Sequence, residues 1–316
     1  MQKFKWFAFM AVGCMLVGLI TGAPVWAEYP DRPIKILVGF KAGGGVDTMA
    51  RMISQKAGDV LGQPVVVVNK PGGGGAIAAK EILHAEPDGY TLCFNVVLTF
   101  AAWPYMTKVD YTEDDFKYIA AVGKFQEAFV SLPDKPWKDW PGLIAYAKEK
   151  GPLNVAVMTP YDKEVLKYIA KKDGVEFNLV PTKGGAAVMT QVLGNHVDFG
   201  FSGGIHGQYV KAGKMIVLAG HGAEHLIGTP DVPTLTELGY PIALENYNVV
   251  VGPKGLPDEV AQKLAGAFEK AVQSPEYQDL MKNKLDFPPL FIGPQDLPPK
   301  VKEMAKEFKE MAEFLK

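Results

Sequence analysis

Cysteine and arginine are nearly absent from this chain: two of each among 316 residues, Cys14 and Cys93, Arg32 and Arg51. Cys14 falls in a leader-like start, so Cys93 is left without a partner for a disulfide and the fold must rest on its core. Two arginines offer little of the guanidinium fork that usually clamps carboxylates and phosphates. An excess of positive charge is missing too. The 33 basic and 35 acidic residues give a formal charge of −2, and no basic stripe exists for nucleic acid to follow. Past the first thirty residues, no apolar run reaches the roughly 20 residues that cross a bilayer.

Those first residues hold the three parts of a secretory signal: Lys3 and Lys5, the apolar stretch "WFAFMAVGCMLVGLI", and "VWA" at Val25 to Ala27. The apolar stretch, roughly 15 residues, is short for a retained anchor. "AVGC" makes a loose lipoprotein box at Cys14, but apolar sequence continues after it. The expectation is an exported, periplasmic protein with a signal peptide at 1–27, cleaved after Ala27. The signal contains two lysines and no acid, so the remainder carries a formal charge of −4. Its length suits two domains.

What the chain does have is glycine, 34 residues of it, and two clusters stand out. "VGFKAGGGVDTMARM" from Val38 runs a β-rich strand (Ile34 to Phe40) through three glycines into a helix expected from about Asp47, with Met49, Ala50, Met52 and Ile53 on helical spacing. "NKPGGGGAIAAKEIL" from Asn69 repeats the arrangement after "GQPVVVV", a β-branched run that reads as a strand covered on both faces. "PDGYTLCFNVV" adds a turn and a third strand, giving the order of a doubly wound sheet. Proline punctuation at Pro133, Pro136 and Pro141 marks a change of character. After it, "LNVAVM", "FNLVPTKGGAAVMTQVLGNHVDFGFSGG" and "KMIVLAGHGAEH" repeat the strand, glycine turn and helix pattern. No low-complexity linker intervenes, so two α/β lobes joined by strand crossovers are expected.

Glycine lets backbone N–H groups crowd a guest, and helix N-termini attract anions. Neither cluster is a nucleotide motif. A P-loop needs Gly-Lys-Ser/Thr, where this chain has Val46 and Asp47 after its third glycine. A dinucleotide fold needs an acid at the end of the next strand, where Asn69 and Lys70 stand. Backbone amides must therefore do much of the holding of a small carboxylate, at about 1.5–3 kcal/mol for each charge-assisted hydrogen bond. Asp47 reads as a first-turn acid that satisfies local amides and shapes its loop, since its charge would repel an anionic guest.

Other chemistry finds little footing. "HGAEH", His221 to His225, matches a zinc-hydrolase pattern that works only on a helix, whereas Gly222 follows a strand and "IGTPDVP" breaks any helix. Cys93 lies in an apolar strand, the place of a packed thiol. His84 and His196 sit in ordinary turn contexts, and no Ser/His/Asp arrangement appears. Neither a cofactor nor a metal is expected.

The whole series of segments is familiar. "YPDRPIKILVGFKAGGGVDTMARMI", "LGQPVVVVNKPGGGGAIAAKEI", "PDGYTL", "TKGGAAVMTQVLGNHVDFGF", "PDVPTLTELG" and "VVVGPKGLPDEVAQKL" occur in an order that resembles the Bug (TctC-like) family, the extracytoplasmic substrate-binding receptors of tripartite tricarboxylate transporters. The resemblance covers nearly all of the chain after residue 27. It implies a two-lobed periplasmic-binding-protein (Venus-flytrap, type II) α/β fold with a parallel or mixed sheet in each lobe. Lobe 1 would take 28–127 plus 250–316, and lobe 2 would take 128–249. The implied protein is a non-enzymatic, monomeric receptor that delivers a small carboxylate to membrane permease subunits. A periplasmic sensor presenting the same ligand to a signalling receptor is the alternative, and a secreted hydrolase a third.

Carried over residue by residue, the family's two lobe-1 loops fall on Phe40, Lys41, Ala42, Gly43 and Gly44, and on Gly72, Gly73, Gly74, Gly75 and Ala76. The segment after "PDGYTL" offers Asn95 and Thr99. From lobe 2 the implied contacts are Thr159 and Tyr161 in the Met158–Asp162 loop, then Lys183, Gly184 and Gly185, and Asp198 at a strand start. Three departures stand out: Lys41 replaces the usual proline or alanine, "NVVLTFAAWP" replaces a Gly/Ser-rich segment, and "MTPYDKE" replaces another. They suggest a guest with an apolar or aromatic body, unless Phe100 and Trp103 are core residues.

Overall fold

The computed structural model describes residues 29–314; the leader and Cys14 lie outside them. The chain first lays down β1 (Ile34–Val38), β2 (Val65–Asn69), β3 (Thr91–Val96) and β4 (Phe116–Lys124). It crosses once to form β5 (Ala128–Ser131), β6 (Leu153–Val157), β7 (Phe177–Pro181), β8 (Phe199–Ser202) and β9 (Ile216–Gly220). It returns as β10 (Tyr247–Pro253) and finishes its strands with β11 (Pro289–Ile292). Two sheets result, in the orders β11-β4-β10-β3-β1-β2 and β7-β6-β8-β5-β9.

Helices fill the connections. Lobe 1 has α1 (Gly45–Leu61), α2 (Ala76–Leu83) and the short α3 (Leu98–Ala101) and α4 (Trp103–Met106). Lobe 2 has α5 (Trp140–Lys150), α6 (Pro160–Asp173), α7 (Gly185–Leu193) and α8 (Gly207–Lys211). The chain closes with α9 (Asp258–Gln273), α10 (Pro275–Asp279) and α11 (Leu297–Phe314), which pack back against lobe 1.

The sheets follow one plan. In each, the first strand pairs in parallel with the second on one side and the third on the other: β1 with β2 and β3, β6 with β7 and β8. In each, the strand that has just crossed from the other lobe inserts antiparallel beside the third, β10 beside β3 and β5 beside β8. Both sheets are therefore mixed, and together they give the expected type II arrangement. Because β10 begins at Tyr247 in the first sheet, the return crossing lies ahead of residue 247 rather than at residue 250.

Local chemistry explains α1. Met49, Ala50, Ile53 and Ala57 fall on one face, are fully buried and pack toward α9. Gly62 then takes a left-handed conformation (φ 72°) and returns its N–H to the Gly58 carbonyl, which ends the helix. The strand "VVVVN" departs from its sequence expectation. It is the edge strand β2, and Val66 is 48% exposed instead of covered on both faces. A β-branched run records strand preference, and sheet position is a non-local property.

Candidate functional site

In doubly wound sheets, guests bind outside the carboxyl ends of the strands where the order reverses. In lobe 1 that point lies between β1 and β3, beside the loops that lead into α1 and α2. In lobe 2 it lies beside the loops after β6, β7 and β8. The two carboxyl edges meet. Ile205, just past β8, brings its Cγ2 to 3.9 Å from where a Cβ on Gly45 would stand, and its Cδ1 to 3.4 Å from that of Gly185.

The first loop is braced by a buried ionic hub. Asp47 is 2% exposed and accepts from the Gly43 N–H (2.9 Å), Arg51 Nε (3.0 Å) and Asn69 Nδ2 (2.7 Å). Asn69 Nδ2 also reaches the Phe40 carbonyl at 3.0 Å, and Arg51 donates to Asn69 Oδ1 at 2.9 Å. Burial alone would raise the Asp47 pKa, but these donors outweigh it and hold the carboxyl below its usual value. Half of the chain's arginine is thus spent on positioning. Gly44, the N-cap of α1, has no side chain capping it, and the first amides of the helix have no intrahelical acceptor. Lys41, Ala42, Gly43 and Gly44 are exposed.

The second loop is stranger. Gly72, Gly73, Gly74 and Gly75 all have positive φ, at 141°, 58°, 62° and 95°. Four such residues in a row are open only to glycine. The loop lies tightly on what is beneath it: a Cβ on Gly74 would stand 2.7 Å from the Trp103 ring, and one on Gly75 2.4 Å from Asn95 Oδ1. The buried side chains take the loop's carbonyls. Trp103 Nε1 donates to Gly73 O (2.9 Å), Thr99 Oγ1 to Gly74 O (2.8 Å) and Asn95 Nδ2 to Gly75 O (3.1 Å). In a trans peptide the N–H points opposite the carbonyl. With the Gly73 carbonyl turned down onto Trp103, the Gly74 N–H turns up, away from the core.

Three expectations change here. Asn95 and Thr99 are fully buried behind the loop and orient its peptides, with no surface for a guest. Phe100 and Trp103 are likewise fully buried, so they supply no aromatic wall, and the apolar-body argument drawn from them falls. Trp103 was missed as a brace. Its signal is an indole N–H in an otherwise apolar helix, which needs an acceptor when buried.

Lobe 2 differs loop by loop. After β6, Thr159 caps α6 in a reciprocal box with Asp162, whose carboxylate takes the Met158 N–H (2.6 Å), the Thr159 N–H (2.7 Å) and the Thr159 hydroxyl. The Thr159 hydroxyl is thus used within its own turn, and Thr159 is corrected from guest contact to cap. Tyr161 is 1% exposed and packs against Phe201, His221 and Phe308 at the junction of the lobes. It does not reach the cleft. Asp198 lies at the wrong end of its strand. It pairs with Lys135 (2.9 Å) and accepts from the Asn154 N–H (2.8 Å), at the amino edge of the sheet. The strand-end rule points instead to Ser202–Ile205, and it would have found Ile205. After β7, Gly184 (φ 124°) leads into α7 with no side-chain cap, and Lys183 is exposed beside it.

The crossings themselves are polar and buried. Asn246, on the return, donates Nδ2 to Glu127 Oε1 on the outward crossing (2.7 Å), and the His221 N–H donates to Glu127 O (2.9 Å). Burial pushes the Glu127 carboxyl up to about 8, with Asp162 adding to the rise, and drops the His221 imidazole to about 3. His221 and His225 share no helix. His225 Nε2 pairs with Glu237 (2.9 Å), so "HGAEH" has no zinc-motif geometry. Burial also raises the Cys93 thiol to about 12, the state of an inert packed sulfur.

Comparison with known proteins agrees with this architecture. A family model described as "Tripartite tricarboxylate transporter family receptor" (TctC) matches residues 49–315. A Cupriavidus necator protein, "UPF0065 protein in gbd 5'region", is 34% identical over 293 residues, covering 91% of this chain and 89% of that protein. "Protein BugT" of Bordetella pertussis is 29% identical over 277 residues, 83% of each. Among solved structures, the periplasmic binding protein BugD superposes with a TM-score of 0.80 at 27% identity, covering 91% of this chain and 98% of its own. A family model spanning most of the chain, relatives along nearly its full length and a shared two-lobed structure lead to one assignment: this chain belongs to the tripartite tricarboxylate transporter receptor family, whose members are periplasmic solute-binding receptors.

Proposed function

We propose that this chain captures a small carboxylate between its lobes in the periplasm and delivers it to the membrane permease subunits of a tripartite tricarboxylate-type transporter. The observation that carries the reading is the contrast in helix entry. At the carboxyl edges of the sheets, α1, α2 and α7 begin on glycine with no side-chain cap. By contrast α5 is capped by Asp139, and α6, which also starts at a carboxyl edge, is capped by Thr159. Amides left open at the starts of α1 and α7, in a cleft with few guanidinium groups, suit an anion that can be released again. Lys41 on the first loop and Lys183 beside α7 are point charges at the rim. Capture then follows hinge closure about the two crossings.

The test is a thermal-shift panel of mono-, di- and tricarboxylic acids and uncharged analogues, with mass spectrometry of acids that copurify. Stabilisation by carboxylates and not by their amides supports the reading. Equal response to amides, or none to any acid, would overturn it.

A further inference from the structure

The lobe-2 wall of the cleft is hydrocarbon where a guest's middle would lie. Met158 Cε stands 3.0 Å from the Cβ position of Gly203, and Ile205 follows on the same turn. The nearby polar side chains, Thr159 and Asp162, are used on each other and on the Met158 and Thr159 N–H groups ahead of α6. Ile205 lies between the first residue of α1 and the first residue of α7, with its Cγ2 and Cδ1 at 3.9 and 3.4 Å from where a Cβ on Gly45 and on Gly185 would stand. It therefore separates two places where an anion can sit: the lobe-1 glycine loops, and the open start of α7 beside Lys183. A molecule that holds both must pass along a branched aliphatic side chain. A hydroxyl at that point loses water and gains no partner.

We propose that Ile205 is the specificity residue of this cleft, favouring an acid with a carboxylate at each end and an unsubstituted hydrocarbon middle over its hydroxylated counterpart. The inference rests on the carboxylate-receptor reading above and deepens it. An apolar wall rejects an added hydroxyl by at most about a hundredfold, so the selectivity is moderate in size. It is also local to one side chain. Valine and threonine both remove the Cδ1 carbon and differ only by a methyl against a hydroxyl, so comparing the two isolates the missing partner from the lost volume.

Isothermal titration of the full exported protein tests this with succinate, glutarate and adipate against malate and 2-hydroxyglutarate, and with hexanoate as the one-carboxylate control. The wild type is expected to bind its best unsubstituted diacid at least ten times tighter than the hydroxy acid of the same chain length, and hexanoate more weakly than adipate. Ile205→Val keeps the hydrocarbon and keeps the ratio. Ile205→Thr, nearly isosteric with valine, brings the ratio below threefold, chiefly by improving the hydroxy acid. The proposal is overturned if Ile205→Thr and Ile205→Val give the same ratio, if the wild type prefers the hydroxy acid, or if hexanoate matches adipate. Those results leave the receptor reading standing. Only the failure of every acid to bind removes both.

Discussion

After β1 the chain enters α1 through glycines, with no side chain on the helix start; after β6 it enters α6 through Thr159, closed off by Asp162. Both turns lie at a strand's carboxyl end, and both have an acid three residues past the N-cap position, Asp47 and Asp162. The acids work differently. Asp162 turns back onto the amides of its own turn, whereas Asp47 holds Gly43, Arg51 and Asn69 and so fixes the shape of the loop. A side-chain cap is worth about 1 kcal/mol. Lobe 1 forgoes that stabilisation at α1, whose first amides stay open beside the other lobe, whereas at α2 the Gly75, Ala76 and Ile77 N–H groups turn back to the Gly72 and Gly73 carbonyls. The cleft is thus asymmetric: lobe 1 offers backbone donors, and lobe 2 offers a wall beside the glycine start of α7.

The strongest way to break this comparison is to fill the lobe-1 loop. Gly74→Ala forces a Cβ to 2.7 Å from Trp103 at a φ of 62°, and should cost about 3 kcal/mol with loss of carboxylate binding. Gly184→Ala, where a Cβ meets nothing within 4 Å, should cost about 1 kcal/mol, from its backbone conformation alone. Denaturant titration of both variants checks the difference. Equal losses would mean that the two turns are equally permissive.

The crossing between the lobes gives a pH-dependent comparison. The native Glu127 carboxyl is raised to about 8, above its unfolded value near 4.5, so the native state holds that proton more tightly. The stability linked to this proton is fully present below pH 4.5 and is lost as the pH rises toward 8. Glu127→Gln removes the dependence. The variant should match the wild type near pH 4.5 and exceed it by about 4 kcal/mol at pH 8. Parallel stability curves across that range would contradict the assignment.

Smaller effects separate the two acids. Asp47→Asn should weaken carboxylate binding about tenfold by loosening the first loop, since each charge-assisted bond lost is worth about 1.5 kcal/mol or more. Asp162→Asn should cost about 1 kcal/mol of stability and change affinity less than threefold. Calorimetric titration beside thermal melts distinguishes them, and the account fails if the two rank the other way. Lys41→Ala, at an exposed position, should lower affinity about threefold at low salt and have no effect at high salt.

How much of this could be read from the residues depends on range. The two glycine turns, the strands before them and the helices after them are local, and they appear within two residues of where propensity puts them: β1 ends at Val38 instead of Phe40, and α1 starts at Gly45 instead of Asp47. Asp47's bracing role was also local, within reach of its own turn. What failed was decided at distance. The edge position of β2 depends on how the other strands order, and the choice between core and cleft for Phe100 and Trp103, open from the residues alone, is decided by packing on β4 and on the second glycine loop. Tyr161 and Asp198 were assigned from likeness to a motif. The direction of the strand places Asp198 at the far edge, and the packing of Phe308 against Tyr161 turns that ring into the junction.

The central claim is that open amides of the lobe-1 glycine loops hold a carboxylate. Glycine-selective ¹⁵N NMR during titration with a bound acid tests it most directly. The account predicts the largest shifts at Gly44, Gly45 and Gly74, with Gly194 and Gly213 unmoved. Saturating shifts confined to lobe 2, with the lobe-1 glycines still, would contradict it.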